Sequence, residues 1–123
     1  MKLLFESDKL KSQCTSLKSA ERLLGGNKAL AVSLLSRINA LSAAGCLKDI
    51  ILQPAFHFHA LSNKKGRDLT GLFAIDVKSR KEQWRILLQP LDTEEQPFVP
   101  CRIDEIAEIT KAVKITEVSR HYE

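Results

Sequence analysis

The sequence predicts an α+β fold in which an N-terminal strand and an antiparallel pair of helices pack on a mostly antiparallel sheet. Apolar residues recur at helical spacing through the first third of the chain, and the period changes to two after Gly45. A helix pair followed by a run of strands is typical of sheets with helices on one face. At 123 residues the chain is expected to form one domain with one modest core.

The N-terminal elements are predicted from local cap and stop signals. Residues 2–6 are short and mostly apolar and end at Ser7, which predicts a strand followed by a helix cap. Residues 8–24 and residues 28–44 each show helical spacing, so one helix is expected over each range. A Gly-Gly-Asn sequence between them can end the first helix and cap the second. So short a connection implies that the two helices lie antiparallel.

The second half of the chain alternates in a period of two at several places. Four segments are predicted as strands on this pattern, and they span residues 56–61, 72–77, 84–89 and 113–118. A charged turn at residues 79–82 joins the second and third segments, so these two are expected to pair as a hairpin. Residues 90–102 hold three of the four prolines and predict an exposed connection. Residues 103–109 predict a short helix.

Charge and cysteine content narrow the functional classes. The net charge of +4 is compatible with an anionic partner but does not require one. Cys14, Cys46 and Cys101 are far apart and lack C-x-x-C spacing, which argues against a disulfide framework or a zinc site. The N-terminus becomes charged too early for a signal peptide, and no apolar run approaches the roughly 20 residues that span a bilayer. We therefore expect a cytoplasmic protein that does not associate with membranes.

A basic loop and a basic strand lie close together in the sequence. Lys64, Lys65 and Arg67 share one Gly-containing loop, and Arg85 follows Trp84 at the start of a predicted strand. This arrangement would gather cationic side chains on one side of a small sheet, as binding of a polyanion such as RNA requires. Loops on a rigid sheet often carry binding groups. A solvated Lys-rich turn is the alternative interpretation.

Four short motifs follow one another in the order that is found in a known family. They are Leu61-x-x-x-x-x-Arg67, Gly71-x-Phe73-x-Ile75, Trp84-Arg85-Ile86 and the terminal Glu117-x-x-Arg120-His121-Tyr122. Together with the element order, they resemble the RelE/ParE superfamily of bacterial toxins, and within it the HigB-type toxins, or plasmid-maintenance killer proteins. The chain departs from the family pattern at Asp76, where many relatives carry Arg. It also departs at the tail, where the usual order is Asp-Tyr-His.

The resemblance implies a compact fold like that of microbial ribonucleases, and a specific activity. Many toxins of this family enter the ribosomal A site and cut mRNA, and a neighbouring antitoxin, usually a helix-turn-helix protein, inhibits them. On that basis we expect a type II toxin that acts as a ribosome-dependent mRNA endoribonuclease without a metal or other cofactor. Its expected partners are mRNA, the ribosome with its rRNA, and a HigA-like antitoxin in a heteromeric complex.

Metal-free RNA cleavage requires a base, an acid and cations near the phosphate. Arg85 is the first candidate for phosphate stabilisation, because a guanidinium can hold two phosphate oxygens and stays charged. The alternative is an Arg on the solvent face of a strand, paired with Asp76 across the hairpin. Lys65 is a further cationic candidate. His121 and Tyr122 are candidates for proton transfer or substrate positioning, and the alternative is a frayed tail.

Six further candidates for RNA contacts carry cationic or imidazole side chains, and they are Lys64, Arg67, His57, His59, Arg80 and Arg120. The two histidines are two residues apart on a predicted strand, so both should point to the same face. Their spacing would suit a metal pair, but no third ligand lies nearby in sequence, and we predict no metal site. A structural histidine pair is the alternative. Trp84 is expected in the core rather than against RNA.

Two other functions remain open from the sequence. A ParE-like toxin of the same architecture would poison DNA gyrase, and it would not need the terminal His-Tyr pair. A catalytically inactive binding protein of the same fold is the second alternative, because Asp76 and the altered tail depart from the family pattern. Growth arrest without transcript cuts would favour the first, and absence of toxicity would favour the second.

Overall fold

A computed structural model describes residues 1–63 and 66–122 of the chain. The elements in this part are β1 (Lys2–Phe5), α1 (Asp8–Thr15), α2 (Leu17–Leu23), α3 (Lys28–Ala43), α4 (Leu47–Ile51), a 3-10 turn (Pro54–Phe56), β2 (His59–Ala60), β3 (Phe73–Asp76), β4 (Arg85–Leu91), α5 (Ile103–Ile106) and β5 (Ala112–Ser119). The strands form one sheet in the order β1-β5-β4-β3-β2. Only the β1–β5 pair is parallel among the described strands. The α+β class and the mostly antiparallel sheet are therefore confirmed.

The predicted single helix over residues 8–24 is wrong, because the chain breaks at Ser16. This residue has extended backbone angles (φ −118°, ψ 123°), ends α1 and begins α2. Its hydroxyl oxygen accepts a hydrogen bond from the backbone N–H of Ser19 at 3.4 Å. A serine side chain competes for backbone hydrogen bonds and favours caps over helix interiors, so the apolar spacing continues across a break in the helix.

The predicted caps and the glycine turn between the helices are confirmed, while the short helix predicted over residues 103–109 ends at Ile106. Ser7 caps α1 through a 3.1 Å hydrogen bond from the Leu10 N–H, and Asn27 caps α3 through a 3.0 Å bond from the Leu30 N–H. Gly25 and Gly26, which separate α2 from α3, have φ of 69° and 84°. That left-handed backbone is strained for a residue with a Cβ, so this turn requires glycine.

The predicted strand over residues 56–61 is also wrong over most of its length. A helical turn ends at Phe56, His57 has a left-handed backbone (φ 50°), and only His59 and Ala60 pair with β3. Pro54 favours this outcome, since its fixed φ suits the first residue of a helical turn. Arg37 of α3 stabilises it, because its guanidinium donates to the Ala55 carbonyl at 3.2 Å and lies 4.5 Å from the Phe56 ring centroid. The preceding helix α4 was not predicted.

The predicted hairpin of β3 and β4 is confirmed, with Asp76 directly opposite Arg85. β4 runs to Leu91, however, so the exposed connection predicted from residue 90 begins later. Pro90 is buried and paired with Val113 of β5. The β3 pairing stops at Leu88, so the last part of β4 has one neighbouring strand in the described structure, and proline is tolerated at such an edge.

The two faces of the sheet are covered differently. Buried side chains of α1 to α4 form one cluster with Ile75, Ile86 and Val118 of the sheet. A second, smaller cluster lies on the opposite face, where the segment after β2 covers Ala74 and Leu87. Side chains alternate between faces along a strand. Asp76 and Arg85 therefore belong to this second face, away from the helices.

In the described residues, no helix has both the length and the apolar character that crossing a bilayer requires. All three cysteines are free thiols.

Burial raises the pKa of the Cys14 thiol to about 12. Only the thiolate reacts with alkylating agents, and at pH 8 such a pKa leaves about one thiolate in 10⁴ thiols. We expect iodoacetamide at pH 8 to modify Cys14 only after unfolding, as measured by peptide mass spectrometry with and without urea. Cys46, which is half-buried, is the internal reference. Labelling of Cys14 in the folded protein at the rate of Cys46 would contradict the packing of α1.

Candidate functional site

The predicted site residues fall into two groups and an isolated turn. Lys64 and Lys65 lie outside the described residues. His57 and Arg85 contact Asp76, and His59 lies beside His57. Arg67, Arg120, His121 and Tyr122 lie around the end of β5, on two sides of the strand. Arg80 is exposed in the turn between β3 and β4, apart from both groups.

Asp76 is the centre of a buried ionic network. Its side chain is 1% exposed, and its Oδ1 lies 3.2 Å from Arg85 Nε and 3.3 Å from His57 Nδ1. The Arg85 side chain is only 8% exposed, and its guanidinium also donates to the carbonyls of Arg80, Glu82 and Trp84. The phosphate role of Arg85 stays a prediction, and this geometry gives its guanidinium other partners. The solvent-facing alternative is wrong, while the pairing with Asp76 is confirmed.

His57 and His59 lie side by side although they do not share a strand. Their ring centroids are 4.5 Å apart, and His59 Nδ1 is 2.7 Å from the His57 carbonyl oxygen. A carbonyl oxygen can only accept, so His59 carries its hydrogen on Nδ1. The His57 ring is 31% exposed and sits against the Asp76 carboxylate. Among the described residues, no group of three or more His, Cys, Asp or Glu side chains could hold a metal ion.

The tail after β5 places its side chains on two sides of the strand end. The Arg120 guanidinium carbon lies 5.9 Å from the centroid of Trp84. On the other side, the Arg67 guanidinium carbon lies 5.2 Å from the centroid of Tyr122. Each pair brings a cation over an aromatic face, a favourable electrostatic contact. We call Arg67, Arg120, His121 and Tyr122 the tail surface.

The tail surface is anchored rather than frayed. Tyr122 packs against the apolar cluster of the second face, which includes Leu61 and Leu69. The backbone N–H of His121 donates to the Ser119 hydroxyl at 3.1 Å, and Ser119 is itself buried opposite Arg85. Trp84 is half-buried and packs against the main core, as predicted. Its ring therefore has a core side and a side that faces Arg120.

Burial, and then the nearby Glu117 carboxylate, raise the pKa of the Tyr122 phenol, while Arg67 acts in the opposite direction. A raised pKa keeps the phenol protonated at neutral pH, so Tyr122 can donate a proton but cannot accept one. Sequence reasoning did not single out Glu117 as a site residue. Its position on an alternating strand, on the same face as Ser119, is the signal that could have placed it there.

The tail surface has the groups that phosphodiester chemistry uses. Two guanidinium groups can bind phosphate oxygens. An imidazole and a protonated phenol can transfer protons.

The chain matches no protein-family model, no curated protein and no solved structure.

Proposed function

We propose that this chain is the toxin of a type II toxin–antitoxin pair and acts as a ribosome-dependent mRNA endoribonuclease. The observation that carries the proposal is the tail surface, where the Arg67 guanidinium lies over the Tyr122 ring and Arg120 lines one cavity together with His121. The resemblance of the four sequence motifs to HigB-type toxins of the RelE/ParE superfamily supports it and supplies the ribosome as the place of action.

In the proposed reaction, the 2′-oxygen of a ribose attacks the adjacent phosphorus, and the bond from phosphorus to the 5′-oxygen breaks. His121 accepts the proton of the 2′-hydroxyl, and Tyr122 donates a proton to the leaving 5′-oxygen. The products are a 2′,3′-cyclic phosphate and a 5′-hydroxyl end, so atoms and protons balance. Arg67, which lies over the Tyr122 ring, stabilises the negative charge that accumulates on the phosphate, and such stabilisation is usually the largest single contribution to this kind of catalysis.

The remaining candidates would contact RNA outside the reacting phosphate. Lys64, Lys65 and Arg80 would bind phosphates through charge, which makes the affinity depend on salt. His57 and His59 would border the RNA on the second face of the sheet. Arg85 takes a different part in this proposal, because it holds Asp76 and the β3–β4 turn in place. A HigA-like antitoxin would inhibit the enzyme by covering the tail surface.

The test is transcript-end mapping after brief induced expression, with a second message that differs only in lacking its start codon. We expect growth arrest and cuts within the translated message, and no cuts in the untranslated copy. Equal cutting of both messages would contradict ribosome dependence. Growth arrest with intact transcripts and trapped gyrase–DNA complexes would replace the proposal by the gyrase alternative. Normal growth with intact transcripts would leave the inactive binding protein.

A further inference from the structure

A cavity of about 480 Å³ lies beside the tail surface, between the end of α2 and the end of β5. One wall runs from Arg22 to Gly25, and the other consists of Trp84 and residues 117–121. Consecutive strand residues point to opposite faces, so Glu117, Val118 and Ser119 at the end of β5 can all line one cavity only if it follows the edge of the strand. That edge is open because the pairing of β1 with β5 ends at Ile115.

The lining combines a flat aromatic ring with cationic groups. Trp84 turns its solvent side to the cavity, and the exposed side chains of Arg22 and Arg120 lie at its walls together with His121. Glu117 is the one carboxylate among the lining residues, against the two guanidinium groups of Arg22 and Arg120. The cavity therefore offers a stacking surface and two guanidinium groups with an excess of positive charge.

A nucleotide has the chemistry that fits this lining. A base presents a flat π surface to an aromatic side chain, and such stacking stabilises single-stranded complexes with little dependence on which base is bound. A phosphate binds guanidinium groups through paired hydrogen bonds. The volume is within the roughly 300–1,000 Å³ of small-ligand sites. Arg120 is exposed, so its side chain can leave the Trp84 face when a base takes that place.

We propose that this cavity is a subsite for one nucleotide of single-stranded RNA, next to the phosphate that is cut. The base lies against Trp84, and Arg22 and Arg120 bind the phosphate of that nucleotide. His121 lines the cavity and also belongs to the tail surface, so the bound nucleotide would adjoin the reacting phosphate. The proposal rests on the endoribonuclease function and adds to it a place where the enzyme holds its substrate.

Trp84 is the only tryptophan of the chain, so intrinsic fluorescence reports on this cavity directly. The experiment titrates the purified full chain with a short single-stranded oligoribonucleotide and follows tryptophan emission. We expect quenching that saturates and that weakens as salt is raised. Arg22→Gln and Arg120→Gln should each weaken binding about tenfold, the loss expected for one charge-assisted phosphate contact. Arg102→Gln is the matched control, because it removes the same charge from an exposed residue outside the cavity.

Three results would overturn the subsite. The first is RNA binding that leaves Trp84 emission unchanged. The second is an Arg22→Gln protein that binds as the Arg102→Gln control does. The third is equal quenching by polyglutamate, which would show a site for acidic chains in general. If transcripts are still cut when any of these results is found, only the subsite proposal is contradicted. If transcripts are not cut, the nuclease proposal is contradicted, whatever the fluorescence shows.

Discussion

Replacing Arg85 by alanine is expected to destabilise the protein by about 3–5 kcal/mol, the cost of leaving one partner of a buried ion pair alone. Asp76 would remain at 1% exposure without the guanidinium that lies 3.2 Å from its Oδ1. The carbonyls of Arg80, Glu82 and Trp84 would lose a donor in the same step. Urea unfolding followed by circular dichroism measures the change in free energy of unfolding.

Two further variants separate the ion pair from other effects. Arg80→Ala removes an arginine from the exposed turn next to it, and we expect a change within about 0.5 kcal/mol. The double variant Arg85→Met with Asp76→Leu removes both charges and should recover most of the stability, since apolar replacement of a complete buried pair is often neutral. A loss below about 1 kcal/mol in Arg85→Ala would show that the network is not a stabilising element.

The same result bears on how toxicity is interpreted. A toxin that fails to fold also fails to arrest growth, so an inactive Arg85→Ala variant would not by itself place Arg85 at the reacting phosphate. Toxicity that survives in the stable double variant would exclude Arg85 from the chemistry. Toxicity lost in a stably folded double variant would instead support the phosphate role that the sequence predicts.

Replacing His121 by glutamine is expected to lower the rate of mRNA cleavage by about 10²–10⁴, the usual contribution of a positioned acid or base. Glutamine keeps a polar side chain of similar reach but cannot accept a proton at neutral pH. His121 is exposed, so we expect the free energy of unfolding to change by no more than about 0.5 kcal/mol. Cleavage is measured as a time course of transcript cutting in a translating extract.

Tyr122→Phe is the companion variant for the proton donor. Phenylalanine keeps the ring against the apolar cluster and under Arg67, and it removes only the hydroxyl. A rate loss in this variant at unchanged urea midpoint would assign the phenol to proton transfer. If His121→Gln and Tyr122→Phe both cut at the wild-type rate, the tail surface is not the catalytic site, whatever its charge.

Several elements were determined by the sequence over short distances. The caps at Ser7 and Asn27, the Gly25-Gly26 turn and the β3–β4 hairpin each depend on residues within a few positions of one another. Cap and turn interactions act over three or four residues, so a linear pattern contains them in full. The single helix predicted over residues 8–24 is interrupted at Ser16. Apolar spacing indicates which face of a segment is buried, but it does not indicate whether the helical backbone is continuous.

Tertiary structure alone decided which distant residues meet. The break of the predicted strand at residues 56–61 depends on Arg37 of α3, which holds the turn at Ala55. The burial of Arg85 depends on the residues that pack over the second face of the sheet. The cavity at Trp84 depends on where the pairing of β1 with β5 ends. The tail surface likewise exists because β5 ends where Arg67 and Trp84 stand. Sheet order and register set these contacts, and both follow from the packing of the whole core rather than from any local pattern.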